Sequence, residues 1–246
     1  GETTIIPPAE LCRTFSLDRI TKKHSIFDEK KLDWMNGVYI RDMGAAAWVD
    51  AAKPWLAQTN LDGSNVPDGI TVVPTPTKEE AEAAARELHL PGEGVDADTW
   101  EACLVDVDDD REFYEAMYPL VGERLAHLDE IPAKLAFLFW GDSVVLDEKS
   151  VQKVLLKEGA RADEALAICR GILADDDNPW DAEALEELCR AAGEEAGLKP
   201  KLLFQPLRVA VCGNMVSPPL FESIELLSRE DVLARIDYVT KEVFGG

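Results

Sequence analysis

Apolar residues recur at intervals of three and four through almost the whole chain, and alternating apolar–polar runs are nearly absent. That pattern commits the backbone to helices, because a 3.6-residue repeat places such positions on one face. Asp28 to Met43 carries Leu32, Met35, Val38 and Tyr39 at this spacing, with Gly44 as a stop. Pro7 and Pro8 ahead of residues 9–13 open a short helix, since proline is tolerated in a first turn. Thr77 with Glu80 forms a capping box, and Ala83, Ala84 and Leu88 make the buried side of the helix it starts. Further helices are expected over residues 98–104, 111–117, 120–127 and 131–139, with Pro119 and Pro132 near helix starts. A second series follows Gly141-Asp142, over 148–157, 163–173, 181–192, 220–227 and 229–243, with Asp181 and Ser228 as N-caps. Residues 60–76, rich in Gly, Pro and Asn, read as a long loop with a small hairpin at 70–73. The fold class is all-α: two consecutive helical bundles, 45–142 and 143–246, preceded by a short segment, 1–44.

Charge is distributed unevenly along these segments. The net charge is −23, and residues 45–198 carry all of it, with 12 basic against 35 acidic side chains. Residues 1–44 hold seven of each sign and residues 199–246 hold six of each. Lys199 to Phe221 contains no acid at all, its charges being Lys199, Lys201 and Arg208. An anionic partner would be repelled by the flank and accepted at such an end. The plainer alternative is that the acids solvate exposed helix faces, or meet a basic partner as a protein–protein interaction module.

Several chemistries lack their residues. Five cysteines without Cys-x-x-Cys spacing, and three scattered histidines, give no metal set, so no metal is expected. Asp106 to Asp110 opens like a calcium loop, but Arg111 stands where glycine is needed and Met117 where the bidentate glutamate belongs. Asp175 to Asp177 fails likewise at Trp180. No Gly-x-Ser-x-Gly and no phosphate-cradling Gly-x-x-x-x-Gly-Lys occurs, so no catalytic residue is assigned. No apolar run reaches membrane-spanning length, and the free thiols suit a reducing cytoplasm. A chain that starts at Gly1 without Met reads as part of something longer.

Three stretches carry a family likeness. Phe27-Asp28-Glu29-Lys30-Lys31-Leu32-Asp33-Trp34-Met35-Asn36-Gly37-Val38-Tyr39-Ile40-Arg41 resembles the F-D-x-x-K-L-x-W-M-N-x-x-Y-I-R segment of bacterial glutamyl-tRNA synthetases. Residues 120–139, with Arg124, Leu128 and Glu130, resemble the R-x-x-T-L-x-E helix pair of their anticodon-binding region. Residues 204–227 resemble their Q-P-L-R-x-A-L-T-G … S/T-P-x-L-F-E element. The likeness covers nearly the whole chain apart from 60–76. The family's His-x-Gly-His and Lys-x-Ser-Lys-like signatures are missing, so the likeness is to the C-terminal anticodon-binding portion. Residues 1–44 then correspond to a remnant of the stem-contact domain, and the two bundles to anticodon-binding subdomains of the helix-cage type.

This resemblance implies binding of tRNA-Glu through its anticodon loop and stem, with no DNA or membrane partner and a monomeric state. The parent enzyme would join glutamate to tRNA, with ATP and Mg at a catalytic domain not in this chain, and the chain alone would need no cofactor. Arg208, Gln205, Ser217, Pro218 and Leu220 match the element that meets the first two anticodon bases. A guanidinium fork suits phosphate oxygens, base edges or a splayed base. For Arg208 the alternative is a helix-end arginine bonding local carbonyls, and for Leu220 it is core packing. Arg124 matches an arginine that separates the glutamate anticodon from the glutamine one, cytosine against guanine at the third base. Its donors fit cytosine O2 and N3 and would face the N1–H and N2–H donors of guanine. Members that charge both tRNAs tend to carry glutamine there; the alternative for Arg124 is an ion pair with a nearby acid. Lys31, Trp34 and Arg41 match positions near the tRNA, with core packing the alternative for Trp34, and Lys22 and Lys23 suit backbone contacts. Asp33 and Cys212 depart from the family pattern.

Overall fold

The computed structural model describes residues 5–6, 8–16, 28–61, 104, 106–122 and 124–245. Among these, every regular element is helical, as the all-α reading requires. The Thr77 helix, residues 62–76 of the expected loop, Lys22 and Lys23 lie outside the described residues.

After α1 (Pro8–Thr14), α2 (Glu29–Asp42) starts where the Asp28 side chain accepts from the Lys31 amide at 3.1 Å. Such a cap satisfies one of the amides that a first helical turn leaves unpaired. Gly44, at φ +75°, reverses the chain into α3 (Ala45–Leu61). The apolar period does not predict α3, because its alanines and Pro54 blur the pattern. It takes in Asn60 and Leu61, which corrects the expected loop boundary. Packing makes it a helix: Trp48, Val49, Ala52, Leu56 and Ala57 are all fully buried.

α4 (Arg111–Val121) ends six residues short of the expected 120–127 helix, and Pro119 lies near its end instead of near a helix start. The reason is local. Glu130 Oε1 accepts from both the Ala126 and His127 amides at 2.8 Å, so those donors are taken by a turn and not by a preceding helical carbonyl. A 3₁₀ turn (Leu128–Glu130) leads into α5 (Ile131–Leu135), with Pro132 in its first turn, and a second 3₁₀ turn follows (Ala136–Phe139).

The later part holds α6 (Glu148–Ser150), running into a π turn (Val151–Leu155), then α7 (Ala162–Leu173) and α8 (Ala182–Glu195). They are followed by α9 (Pro200–Cys212), α10 (Leu220–Glu225) and α11 (Arg229–Val239), the last with a terminal π turn (Thr240–Phe244). Asp181 and Ser228 cap as expected, accepting from the Ala184 and Asp231 amides at 2.9 and 3.0 Å. α9 is buried along most of its length because it is central: Leu203, Leu207, Val209, Ala210, Val211 and Cys212 are all buried, while Lys201 and Leu202 at its start are exposed.

α3 packs against α4, α5 and the second 3₁₀ turn, while α9 packs against α7, α8, α11 and that same turn. α2 docks on the end of α4, where Tyr118 Oη donates to the Ile40 and Arg41 carbonyls at 3.1 and 2.6 Å. Asn36 Nδ2 donates to Ala126 O at 2.5 Å. Arg235, fully buried, joins three places: Nε and Nη2 donate to Gly141 O at 2.8 and 2.6 Å, and Nη1 to Val211 O at 2.9 Å. No helix among the described residues is long and apolar enough to cross a membrane.

Candidate nucleic-acid interface

Gln205, Arg208 and Cys212 share one face of α9, and the chain then turns sharply at Gly213, φ +78°. A Cβ there would sit 2.1 Å from Val145 O and 3.1 Å from Trp140 Cζ3, so nothing larger than glycine fits unshifted. The loop that follows is pinned at each step. Asn214 Oδ1 accepts from the Val216 amide at 2.9 Å, and the Met215 amide donates to Ser150 Oγ at 3.0 Å. Arg208 Nη1 donates to Pro218 O at 2.5 Å, to Ser217 O at 3.3 Å and to Ser217 Oγ. Arg208 therefore does bond local carbonyls, as its plainer reading required. Its Nε and Nη2 have no acceptor among the described residues.

Opposite this loop stand Arg124, Lys134, Phe137 and Trp140. The two walls enclose a cavity of about 130 Å³, completed by Cys212, Asn214, Val216, Ser217 and Pro218. That is well below the several hundred Å³ of a drug-sized pocket and suits one small planar group. Gln205 is half-buried on α9, Pro218 is buried, and Leu220 is only 4% exposed, packed in the core at the start of α10.

Eight arginines of the two bundles among the described residues fall into two kinds. Arg111, Arg161, Arg170, Arg190 and Arg229 each meet a carboxylate. Arg124, Arg208 and Arg235 meet none among the described residues; Arg124 Nη1 donates to Leu120 O at 3.1 Å. Burial lowers the proton affinity of Arg208 and Arg235, and the charge of Arg124 lowers that of Arg208 further, so the two share one electrostatic site. Both remain cations, since guanidinium does not lose its proton in proteins. Beneath them burial pushes the Cys212 thiol up to about 11, against the pull of Ser217, Arg208 and Arg235.

Glu130 holds the turn that follows Arg124. Burial alone would raise its carboxyl, but the His127 and Ala126 amides and Lys134 outweigh it and hold it below the usual range. Glu130→Gln is expected to cost about 1 kcal/mol, a modest figure because the group is partly solvated. Thermal melting should show a drop of about 2–4 °C at neutral pH. A depressed carboxyl stabilises the fold above its unfolded titration, so the gap between the two proteins should close as pH falls through the carboxylate range.

α2 adds a second surface beside this turn. Trp34 is 51% exposed, not core, while Lys31 and Arg41 are exposed on the same helix. Asp33 Oδ1 lies 3.0 Å from His127 Nε2, which links α2 to the turn carrying Arg124 and accounts for the acid at that position.

Residues 79–240 match the protein family described as the anticodon binding domain. The chain belongs to that family. The matched segment contains both cavity walls, from Leu120 to Pro218, while Lys31, Trp34 and Arg41 precede it. The chain is 33% identical to the glutamate--tRNA ligase of Symbiobacterium thermophilum over 92% of its length, and 35% identical to that of Salinispora arenicola over 96%. It spans 38% and 41% of those relatives' own lengths, in their C-terminal part. A crystal structure of a glutamate tRNA ligase from Elizabethkingia meningosepticum superposes with a TM-score of 0.60 at 18% identity, covering 96% of this chain and 36% of that one. A second, from Elizabethkingia anophelis, gives 0.58 at 18%, covering 95% and 36%. These two share the fold.

Sequence reasoning misses Lys134, Trp140, Asn214 and Val216 in the cavity and Arg235 beneath it. Nothing local marks them, except that Lys134 follows Glu130 by four residues and pairs with it at 3.2 Å.

Proposed function

We propose that the cavity between α5 and the α9–α10 loop reads the anticodon of tRNA-Glu, as part of a glutamate–tRNA ligase. One observation carries this reading. In a chain of net charge −23, Arg124 lines a cavity whose opposite wall, Ser217 and Pro218, is braced by Arg208, and neither arginine meets a carboxylate among the described residues. RNA loops are recognised by such means, with unstacked bases taken into pockets and backbone phosphates held by cations. Arg124 would read the third base, and Ser217, Pro218, Gln205 and the free edge of Arg208 the first two. Leu220 would shape the floor from within the core. Lys31, Trp34 and Arg41 would follow the stem along α2, as the N-terminal segment, with the two bundles dividing near residue 142.

Glutamate activation with ATP and magnesium would belong to a catalytic part beyond this chain. The residues here do not fit either group: no phosphate-cradling motif occurs, and no three His, Cys, Asp or Glu among the described residues could share a metal. The chain would act as a cytoplasmic monomer on RNA alone.

Filter binding of tRNA-Glu and anticodon variants at two salt concentrations tests the reading. Affinity should fall with salt and with each anticodon change. Indifference to both would favour an acidic protein-binding scaffold instead. Arg124→Gln should narrow the preference for cytosine over guanine at the third base by about tenfold, since a good edge contact is worth about 1–3 kcal/mol. An unchanged preference would retire that assignment.

A further inference from the structure

Trp140 lies where the second 3₁₀ turn meets Gly141, half-buried, packed on the core and lining the cavity. The backbone of Gly213 fixes its ring: a Cβ there would stand 3.1 Å from Cζ3. Several other rings are already engaged, and Phe137, which also lines the cavity, is buried at 4% exposure. Trp48 meets Tyr118, Phe113 and Tyr114 meet Phe139, Phe204 meets Phe221, and guanidinium groups cover Phe204 and Trp180. No ring or guanidinium among the described residues covers Trp140. Its indole N–H has no acceptor among them either, and it is not one of the sealed, unpaired polar atoms.

An open indole beside an arginine has a direct use. Every base has a π face, and unstacked RNA bases are held by stacking on aromatic side chains. Arg124 lines the same cavity and could supply in-plane donors to a base held against the ring. We propose that Trp140 is the stacking platform for one anticodon base seated in this cavity. The proposal rests on the anticodon-reading function above and adds the residue that holds the base in place.

The test is a double-mutant cycle between the protein and the RNA. W140L and W140F are compared on a tRNA-Glu anticodon stem-loop and on three versions, each with one anticodon base replaced by an abasic ribose. W140F should bind within about threefold of the unmodified protein, and W140L about tenfold or more weakly. With the abasic site at the stacked position, that W140L penalty should vanish. A penalty that persists on all three abasic RNAs would overturn the proposal, marking Trp140 as structural. So would full affinity in W140L while the unmodified protein still distinguishes anticodons. If the unmodified protein ignores the anticodon altogether, the broader reading fails first and this one with it. W140M, of greater flexibility, replaces W140L in the cycle should the latter melt below the assay temperature, and the same outcomes apply.

Discussion

Arg235→Leu should lower the melting temperature by about 6–12 °C. The substitution removes three charge-assisted hydrogen bonds and leaves Val211 O buried and Gly141 O part-buried without donors. An orphaned buried acceptor costs about 1–3 kcal/mol, and two of them give roughly 3 kcal/mol or more. At this chain length each kcal/mol moves the midpoint by about 2–4 °C. Leucine fills part of the volume but offers no proton. Arg235→Lys should recover little, because an ammonium group cannot span the turn at Gly141 and the end of α9 as a planar fork does. Differential scanning calorimetry of the three proteins decides the matter. A leucine variant within 2 °C of the parent would show that water reaches both carbonyls.

Arg208→Leu should weaken tRNA-Glu binding about 100-fold. Its effect has two sources, and the geometry separates them. Nη1 braces Ser217 and Pro218, while Nε and Nη2 are free to meet RNA. Leucine abolishes both roles. Arg208→Lys keeps the charge but loses the fork, so a loss of about tenfold is expected. Salt titrations divide the contributions. If Arg208 also touches a phosphate, the slope of log affinity against log salt should become shallower by about 0.7 in the leucine variant and stay unchanged in the lysine one. Full affinity in the leucine variant would mean that the loop holds its shape without the brace.

What could be read from the chain follows the range of the interactions involved. Helix starts at Asp28, Asp181 and Ser228 are legible because a cap is made within three residues. α2 is legible from the spacing of Leu32, Met35, Val38 and Tyr39, although Leu32 and Tyr39 are exposed and the buried residues are Gly37 and Ile40. α3 is not, since alanine runs and Pro54 blur its amphipathic stripe, and in α9 the internal Pro206 masks a helix that keeps its apolar face. The break after Val121 is hidden for another reason. It depends on a carboxylate at Glu130 capturing two amides, a choice that helix propensity does not report. In the cavity, Arg124, Ser217 and Pro218 were accessible through family likeness, as was Arg208 behind it, but Trp140 was not. A tryptophan beside a glycine reads as core until the opposing loop is known to leave it uncovered. Arg235 carries no local signal on α11, because its acceptor at Gly141 lies 94 positions away in sequence.

The two sides of the cavity are borne by helices that pack into different groups and are held in register at Trp140, Gly141 and Gly213. A hydrogen-bonded cation at that joint and a glycine with no clearance above it leave little play. On the proposed anticodon-reading function, selectivity and stiffness would be one property in this protein. Any change that lets the α9–α10 loop swing by an ångström should blur discrimination between nucleobases before it abolishes attachment to RNA.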